Sequence, residues 1–181
     1  TTGNGGAIAF AARYHSNGSY AQMGNIEGIK ENNTNGNFGG ALTFRTRTHG
    51  GDSDERMRID SAGRLLLGTT TEGEVDGDNF TIADSGHCGM SIRSGTSNTG
   101  ILMFSDGTSG TNEYKGYVQY AHSNDTLRLA SAGLVAVTID NNQDTTFAGS
   151  VSDSKGNLRS IPQNYQTSAY TLVVGDAGKC I

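Results

Sequence analysis

Acidic residues are the first candidates for chemistry in this sequence, because most glycoside hydrolases use two carboxyl groups held a fixed distance apart. Asp is also common in turns, where its side chain accepts hydrogen bonds from the nearby backbone. We therefore expect structural carboxylates, no catalytic residues and no enzymatic activity, with polysaccharide hydrolysis as the alternative. The candidates lie in Gly-rich or charged segments: Asp52, Asp54, Glu55, Glu72, Glu74, Asp76 and Asp78.

Histidine and cysteine show no spacing typical of a metal site. His87 and Cys88 are adjacent, so in a strand their side chains would point to opposite faces, and Cys88 and Cys180 lie far apart. We expect two free thiols, no metal ion and no cofactor. The remaining histidines are isolated from one another: His15, His49 and His122.

Two further groups of residues could bind a ligand at the surface. Tyr14, His15 and Tyr20 surround a polar loop, a composition common in proteins that bind carbohydrate, so they are candidates for weak contact with a receptor glycan, whereas packing of the rings on the protein itself is the favoured interpretation. Four arginines alternate with apolar residues, and we expect them to form exposed cross-strand ion pairs with Asp54, Glu55 or Asp60, with an acidic glycan as the alternative partner. These are Arg45, Arg47, Arg56 and Arg58.

The composition favours short strands joined by turns. The 181 residues include 27 Gly, and only 34% are hydrophobic, whereas globular domains contain about 45–50% apolar residues. With 17% charged residues and a net charge of −5, the chain has no concentrated basic surface for a nucleic acid. No apolar run approaches the roughly 20 residues that a bilayer-spanning helix needs. We expect neither nucleic-acid binding nor membrane insertion.

Alternation of apolar and polar residues predicts the strands that position these side chains. Leu42 and Phe44 share one face of a strand, and the apolar run Leu65–Leu67 lies between glycines, which we interpret as a strand buried on both faces. Helical periodicity is almost absent before residue 150. Further strands are predicted over Ala7–Phe10, Glu55–Asp60, Ile101–Phe104, Tyr117–Tyr120, Leu127–Leu129, Leu134–Ile139 and Thr171–Val174.

Two parts of the chain repeat one pattern. Residues 57–60, Met-Arg-Ile-Asp, correspond to residues 137–140, Val-Thr-Ile-Asp, at an offset of about 80 residues of the kind found in repeat architectures. This predicts two β units, residues 1–80 and 81–150, and a junction over residues 151–181. The flanking matches keep the same order: 6–10 with 100–104, 41–44 with 125–129, and 65–68 with 145–148.

Neither unit has enough apolar residues to cover its own sheet. Exposed sheet edges and faces favour pairing with another chain, and symmetric self-association is the common result. We expect the apolar faces to be buried between copies, with a monomeric β-sandwich as the alternative. The predicted trimer core consists of Leu42, Phe44, Met57, Ile59, Leu65, Leu67, Leu127, Leu129, Val135, Val137 and Ile139.

Residues 54–70, Asp-Glu-Arg-Met-Arg-Ile-Asp-Ser-Ala-Gly-Arg-Leu-Leu-Leu-Gly-Thr-Thr, resemble a segment repeated in bacteriophage tail fibres and related virion fibres, especially those of marine and cyanobacterial phages. Residues 26–32 and 39–44 resemble the upstream half of that unit, and residues 122–129 resemble its shorter variant. Residues 156–164 and 169–179 are similar to the junction before a distal tail-fibre domain. The second unit departs from the pattern because it lacks the Gly-Thr-Thr ending.

The resemblance implies an all-β, elongated and intertwined homotrimeric fibre of short strands, similar to a triple β-helix or a β-prism, with almost no helix. It implies a structural and host-adhesive segment of a virion tail fibre, outside the cell, which binds other virion proteins and contacts host surface glycans. A head-attached decoration fibre, a polysaccharide-degrading tailspike and a bacterial surface adhesin are the alternatives. Because the chain starts at Thr1 and stops at Ile181 after strand-like residues, we expect a piece of a longer polypeptide.

Overall fold

Six strands form the sheet of the first unit, in the order of the chain. The computed structural model describes residues 3–154, 156, 157, 169 and 171, and the chain divides into a unit that ends at Met90 and a unit that begins at Ser91. Neighbouring strands are antiparallel except for the last pair, which is parallel. The strands are β1 (Gly3–Arg13), β2 (Tyr20–Lys30), β3 (Gly40–Arg47), β4 (Ser53–Ile59), β5 (Leu65–Leu67) and β6 (Phe80–Ile82).

The second unit contains a five-stranded antiparallel sheet, also in chain order, and a separate two-stranded ribbon. In the described residues the only helix is one short 3-10 segment, η1 (Gly110–Tyr114), so the expected all-β fold with almost no helix is confirmed for that part of the chain. The strands are β7 (Thr99–Phe104), β8 (Gly116–Ala121), β9 (Thr126–Ser131), β10 (Leu134–Ile139), β11 (Thr145–Phe147), β12 (Ser152–Asp153) and β13 (Gly156–Asn157).

Alternation along the strands gives the first sheet one apolar and one polar face, because residues paired across strands point to the same side. Phe44 of β3 pairs with Ile26 of β2 and with Met57 of β4, and Met57 pairs with Leu67 of β5. Apolar side chains therefore form a continuous row across the middle of the sheet.

The fully buried residues of the first sheet lie on its polar face. Thr43 is 0% exposed and Leu66 is 1% exposed, and both pair with Arg58. Long charged side chains shield their neighbours with their aliphatic stems, and the Arg58 side chain is itself only 12% exposed. Within the single chain the run Leu65–Leu67 is thus buried on this face, whereas Leu67, on the other face, is 39% exposed.

A β-bulge occurs at the same point of both sheets. The extra residue is Arg56 in β4 and Ala136 in β10. Each bulge carbonyl accepts a backbone hydrogen bond of 2.9 Å, from Gly68 and from Ala148 respectively. Because two residues oppose one at a bulge, simple alternation of faces breaks down there.

The first bulge separates two arginines that alternation places on one face. Arg58 lies on the polar face opposite Thr43. Arg56 instead donates to Thr46 Oγ1 at 3.2 Å, and Thr46 shares its face of β3 with Phe44. The expectation that both arginines lie opposite the apolar residues is therefore wrong for Arg56.

The second bulge changes the position of Val135. Val137 pairs with Leu129, whereas Val135 pairs with Ala130, the next residue of β9. Because Leu129 and Ala130 point to opposite faces, Val135 does not share a face with Val137 as the predicted core requires.

The turn that follows the bulged strand is the same in both units. Asp60 Oδ1 accepts backbone hydrogen bonds from Ala62 and Arg64 at 3.0 and 2.9 Å. Asp140 Oδ1 accepts equivalent bonds, at 2.9 and 3.0 Å, from the residues two and four positions later. The repeat seen in the sequence thus extends to the hydrogen bonds of this turn.

Sequence patterns do not predict β2 or β6. In β2 the residues Gly24, Glu27 and Gly28 interrupt the apolar alternation. Glycine is required at position 24 because a Cβ there would lie 2.7 Å from the Arg45 carbonyl oxygen. Close approach of two strand backbones therefore explains a residue that resembles a turn signal.

The boundary between the units differs from the one predicted after residue 80. Strand β6 pairs with β5, so it completes the first sheet, and the division falls between Met90 and Ser91. Within the predicted junction, residues 151–181, the structure describes β12 and β13. The strand expected over Thr171–Val174 lies outside the described residues, apart from Thr171.

Candidate interaction surfaces

The first sheet exposes a broad apolar surface, which we call the first apolar face. Ile8 is 65% exposed and Phe10 is 52% exposed, although both lie in a strand interior. All six residues predicted for the trimer core in this unit belong to this face. By register, it comprises Ile8, Phe10, Ile26, Leu42, Phe44, Met57, Ile59, Leu65, Leu67, Phe80 and Ile82.

The second sheet presents an equivalent surface, the second apolar face. Leu102, Phe104 and Leu129 are all more than 40% exposed. Four of the five core residues predicted here lie on it, and Val135 does not. By register, the face comprises Leu102, Phe104, Val118, Tyr120, Leu127, Leu129, Val137, Ile139 and Phe147.

Strand interiors supply apolar residues that the predicted core omits. Ile8 and Phe10 alternate with alanines in β1, and Leu102 and Phe104 hold matching places in β7. The sequence match between residues 6–10 and 100–104 contained this information, because matched residues occupy the same face of a repeated sheet.

An ion-pair network covers the polar face of the first sheet. Arg58 Nη2 donates to Glu55 Oε2 at 2.8 Å, and Arg58 Nη1 lies 3.8 Å from Glu31 Oε1. The hydrogen bond to Glu55 raises the pKa of Arg58 above its ordinary value, against the opposing effect of desolvation. Arg45 lies 3.9 Å from Glu27 on the same face. The arginine and glutamate side chains of this face therefore pair with one another.

Arg64 connects the repeated turn to the acidic loop that precedes β6. Its Nε donates to Asp60 Oδ2 at 2.7 Å, and its Nη1 lies 3.0 Å from Asp78 Oδ2 and 3.5 Å from Glu72 Oε1. The hydrogen bonds to Asp60 and Asp78 raise the pKa of Arg64. Desolvation opposes ionisation of Asp60, but hydrogen bonds from the Arg64 backbone and guanidinium outweigh it and lower the pKa of Asp60.

Most of the acidic residues considered for catalysis take part in such contacts. Arg56 lies 3.1 Å from Asp54 and Arg47 lies 4.0 Å from Asp52. Glu74 Oε2 accepts a hydrogen bond from the Asp76 backbone at 2.9 Å. Together with the contacts of Glu55, Glu72 and Asp78, these place the carboxylates in ion pairs and turns. Arg56 and Arg58 do pair with two of the expected acids, Asp54 and Glu55, but within strand β4 rather than across strands, and Arg58 is largely buried instead of exposed.

The predicted receptor residues lie at the hairpin between β1 and β2. Tyr14 is 62% exposed and Tyr20 is 70% exposed, so neither ring packs closely on the chain. The Tyr14 and His15 rings meet edge to face at 6.2 Å. Hydrogen bonds hold the loop, including one of 2.7 Å from Arg13 Nη2 to the Ser16 carbonyl. The tip thus presents aromatic rings on an ordered turn.

Metal and membrane features can be stated for the described part of the chain. No group of three or more His, Cys, Asp or Glu side chains assembles there as a set of metal ligands. Cys88 is exposed and is not in a disulfide, whereas Cys180 lies outside the described residues. No helix in the same part is long and apolar enough to cross a bilayer.

Comparison with known proteins gives similarities to solved structures only. No family model matches the chain, and no curated protein matches it. The carboxy-terminal domain of the bacteriophage T5 L-shaped tail fibre with its intra-molecular chaperone domain is 11% identical, with a TM-score of 0.38, over 94% of this chain and 62% of that chain. The chain therefore spans less than two thirds of that structure.

A second structure of the carboxy-terminal domain of the T5 L-shaped tail fibre is 13% identical, with a TM-score of 0.34, over 93% of this chain and 88% of that chain. Both are domains of a phage tail fibre, the class of protein that residues 54–70 resemble. With TM-scores below 0.5 they do not establish a shared fold. The narrower resemblance to fibres of marine and cyanobacterial phages is not supported by either of them.

Proposed function

We propose that this chain is a non-enzymatic, structural and host-adhesive segment of a phage tail fibre in the virion, and that it assembles as a homotrimer. The observation that carries the proposal is the pair of apolar faces on the two sheets. Other virion proteins would hold the assembled fibre, and loops at its surface would contact host glycans. The similarity of residues 54–70 to fibre repeats agrees with this role.

The exposed side chains supply a driving force for association. Full burial of a large apolar side chain contributes about 1.5–3 kcal/mol, so a residue such as Leu42 or Ile59, each just over 40% exposed, would gain about 1 kcal/mol by being covered. Many residues of this kind on one chain exceed what scattered surface residues explain. Self-association accounts for them without any further partner.

The mass of the protein in solution tests whether it assembles as a homotrimer. We expect light scattering after size-exclusion chromatography to give three times the 18.9 kDa of one chain. Ile8→Asp places a charge on the first apolar face and should shift the protein towards monomer. Val75→Asp is the matched control, because Val75 is also β-branched and 76% exposed but lies outside the sheets. A folded monomeric wild-type protein would contradict the proposal.

Contact with host glycans is assigned to Tyr14, His15 and Tyr20. Aromatic rings on an ordered polar turn suit the apolar faces of sugars, and a trimer would multiply weak contacts through avidity. Tyr14→Ala together with Tyr20→Ala should reduce adsorption of the trimer to host cells and leave its mass unchanged. Adsorption equal to that of the wild type would rule out this tip as the contact.

The absence of enzymatic activity is part of the proposal. It is supported by the engagement of Asp54, Glu55, Glu72 and Asp78 in ion pairs, which favours a structural role. Incubation with host polysaccharide should produce no new reducing ends. Steady turnover that is lost on replacement of any of these acids would identify a polysaccharide-degrading tailspike instead.

A further inference from the structure

One position of the repeated sheet carries an aromatic ring in the second unit and no side chain in the first. Gly28 pairs with Leu42, and Tyr120 pairs with Leu127. Leu42 and Leu127 each pair in turn with the isoleucine that precedes the repeated turn. Gly28 and Tyr120 are therefore equivalent positions on the first and second apolar faces.

In the second unit the ring is fixed in place. Its hydroxyl donates to Asp125 Oδ1 at 3.0 Å, a hydrogen bond that raises the pKa of Tyr120. The ring also meets the His122 imidazole edge to face at 5.0 Å. The Tyr120 ring is thus held beside His122 and the turn that carries Asp125, and its strand partner Leu127 is half-buried.

In the first unit the same space is open. A Cβ atom at Gly28 would meet no atom within 4 Å, and the same holds at Gly6. A groove of about 480 Å³ adjoins Gly28 at this end of β2, and its lining consists of Gly5, Gly6, Gly28, Ile29, Lys30, Asn37, Phe38, Gly40 and Ala41. Leu42, which pairs with Gly28, is 43% exposed.

Phe38 stands at the rim of this groove and does not fill it. Its side chain is 97% exposed. The residues on either side are held by hydrogen bonds: Asn37 donates its backbone N–H to Thr34 O at 3.2 Å, and Gly39 donates its N–H to Asn37 Oδ1 at 2.8 Å. The loop thus holds an aromatic ring away from its own chain.

We propose that the groove over Gly28 receives the Phe38 ring of a second copy of this chain. This inference rests on the proposed self-association and names one contact within it. An apolar ring exposed to water is costly on the isolated chain, and its burial in the groove of a second copy would remove this cost. The ring would take the place that Tyr120 fills from within its own chain in the second unit.

Two substitutions, made separately and together, test this contact. Phe38→Ala removes the ring, and Gly28→Tyr fills the groove from within, as in the second unit. Each single variant should weaken association at least tenfold when it is measured by sedimentation equilibrium of the 181-residue chain. The double variant Gly28→Tyr/Phe38→Ala should associate no more weakly than Phe38→Ala alone, because without the ring of the second copy the tyrosine has nothing to clash with; additive losses would contradict the contact.

Tyr14→Ala is the control, since it also removes an exposed ring but outside the groove, and it should leave association unchanged. Circular dichroism checks that the variants remain folded; if Gly28→Tyr does not, Phe38→Ala alone decides. Trimeric wild-type protein whose association is insensitive to Phe38→Ala would overturn this contact and leave the proposed function intact. Monomeric wild-type protein would overturn both.

Discussion

The two units repeat one five-stranded pattern, and within the described residues the first adds a sixth strand and a network of charges. Strands β1–β5 and β7–β11 share the bulge, the turn after it and the order of strands. In the first unit Arg64 joins that turn to the loop before β6, whereas position 144 of the second unit is Asp. The two units thus share five strands and the repeated turn, and Arg64 adds ion pairs to this turn in the first unit.

The polar face and the apolar face of the first sheet differ in how their side chains are covered. The polar face of the first unit is closed by Arg58, Glu55 and Glu31, so it needs no partner. The apolar faces of both units are exposed and equivalent in position. The two units therefore differ in their charged residues and at the sheet edge, whereas both keep the same apolar pattern.

The largest effect is expected at the end of the repeat, at Gly68 and its equivalent Ala148. Gly68 has φ +75°, and a Cβ there would lie 2.2 Å from the Ala83 carbonyl oxygen, beside β6. Gly68→Ala should destabilise the first unit by about 3 kcal/mol, since it combines a left-handed backbone with a backbone clash. Hydrogen exchange of the amides in β5 and β6 would measure the loss.

The reciprocal change, Ala148→Gly, is the control. Position 148 already carries a Cβ, so its site does not require a glycine, and the change should cost about 0.5 kcal/mol through the flexibility of the unfolded chain. Equal losses at the two positions would contradict the assignment of Gly68 to the support of β6.

Gly68 and Ala148 also show which features of the two units can be predicted from the sequence and which cannot. The missing Gly-Thr-Thr ending of the second unit is visible in the sequence, but the contact between Gly68 and the strand β6 in the first unit is not. Short parallel pairing such as β5 with β6 depends on a long-range contact that no local pattern encodes. The apolar alternation of β3, β4 and β9 did predict the positions of these strands and the faces of Leu42, Phe44 and Leu129.

A smaller effect separates Asp60 from Asp140. Both carboxylates hold the repeated turn, but Asp60 is 9% exposed and also binds Arg64, whereas Asp140 is half-buried. Asp60→Ala should cost about 2 kcal/mol and Asp140→Ala about 1 kcal/mol, measured by hydrogen exchange within each unit. A greater loss from Asp140→Ala would show that the bond to Arg64 adds nothing.

Lowering the pH should destabilise the first unit through protonation of Asp60. The pKa of Asp60 is lower in the folded protein than its ordinary value, so its contribution to stability is complete above about pH 4 and is lost as the pH falls further. Asp60→Asn should remove this part of the pH dependence in the first unit. Denaturation at a series of pH values checks it, and an unchanged acid response in the variant would refute the role of Asp60.

The interaction surfaces were predicted less completely than the strands. Ten of the eleven predicted core residues lie on the apolar faces, and Val135 differs because the bulge at Ala136 leaves no trace in the apolar pattern. Phe38 and the space over Gly28 could not be found from the sequence. Both features depend on which atoms surround a residue in the folded chain, and the residue type alone does not reveal this.

The smallest expected effect lies at the third position after the turn aspartate. Gly63 and Gln143 occupy it with φ of +85° and +69°, a region that favours glycine. Gln143→Gly should therefore stabilise the second unit by up to about 1 kcal/mol, and Gly63→Gln should destabilise the first by about the same amount, since no atom lies within 4 Å of a Cβ at Gly63 and only the backbone conformation is at stake. Hydrogen exchange of β10 and β4 measures each change. Effects of the same sign would mean that side-chain contacts, rather than the shared turn conformation, control stability at this position.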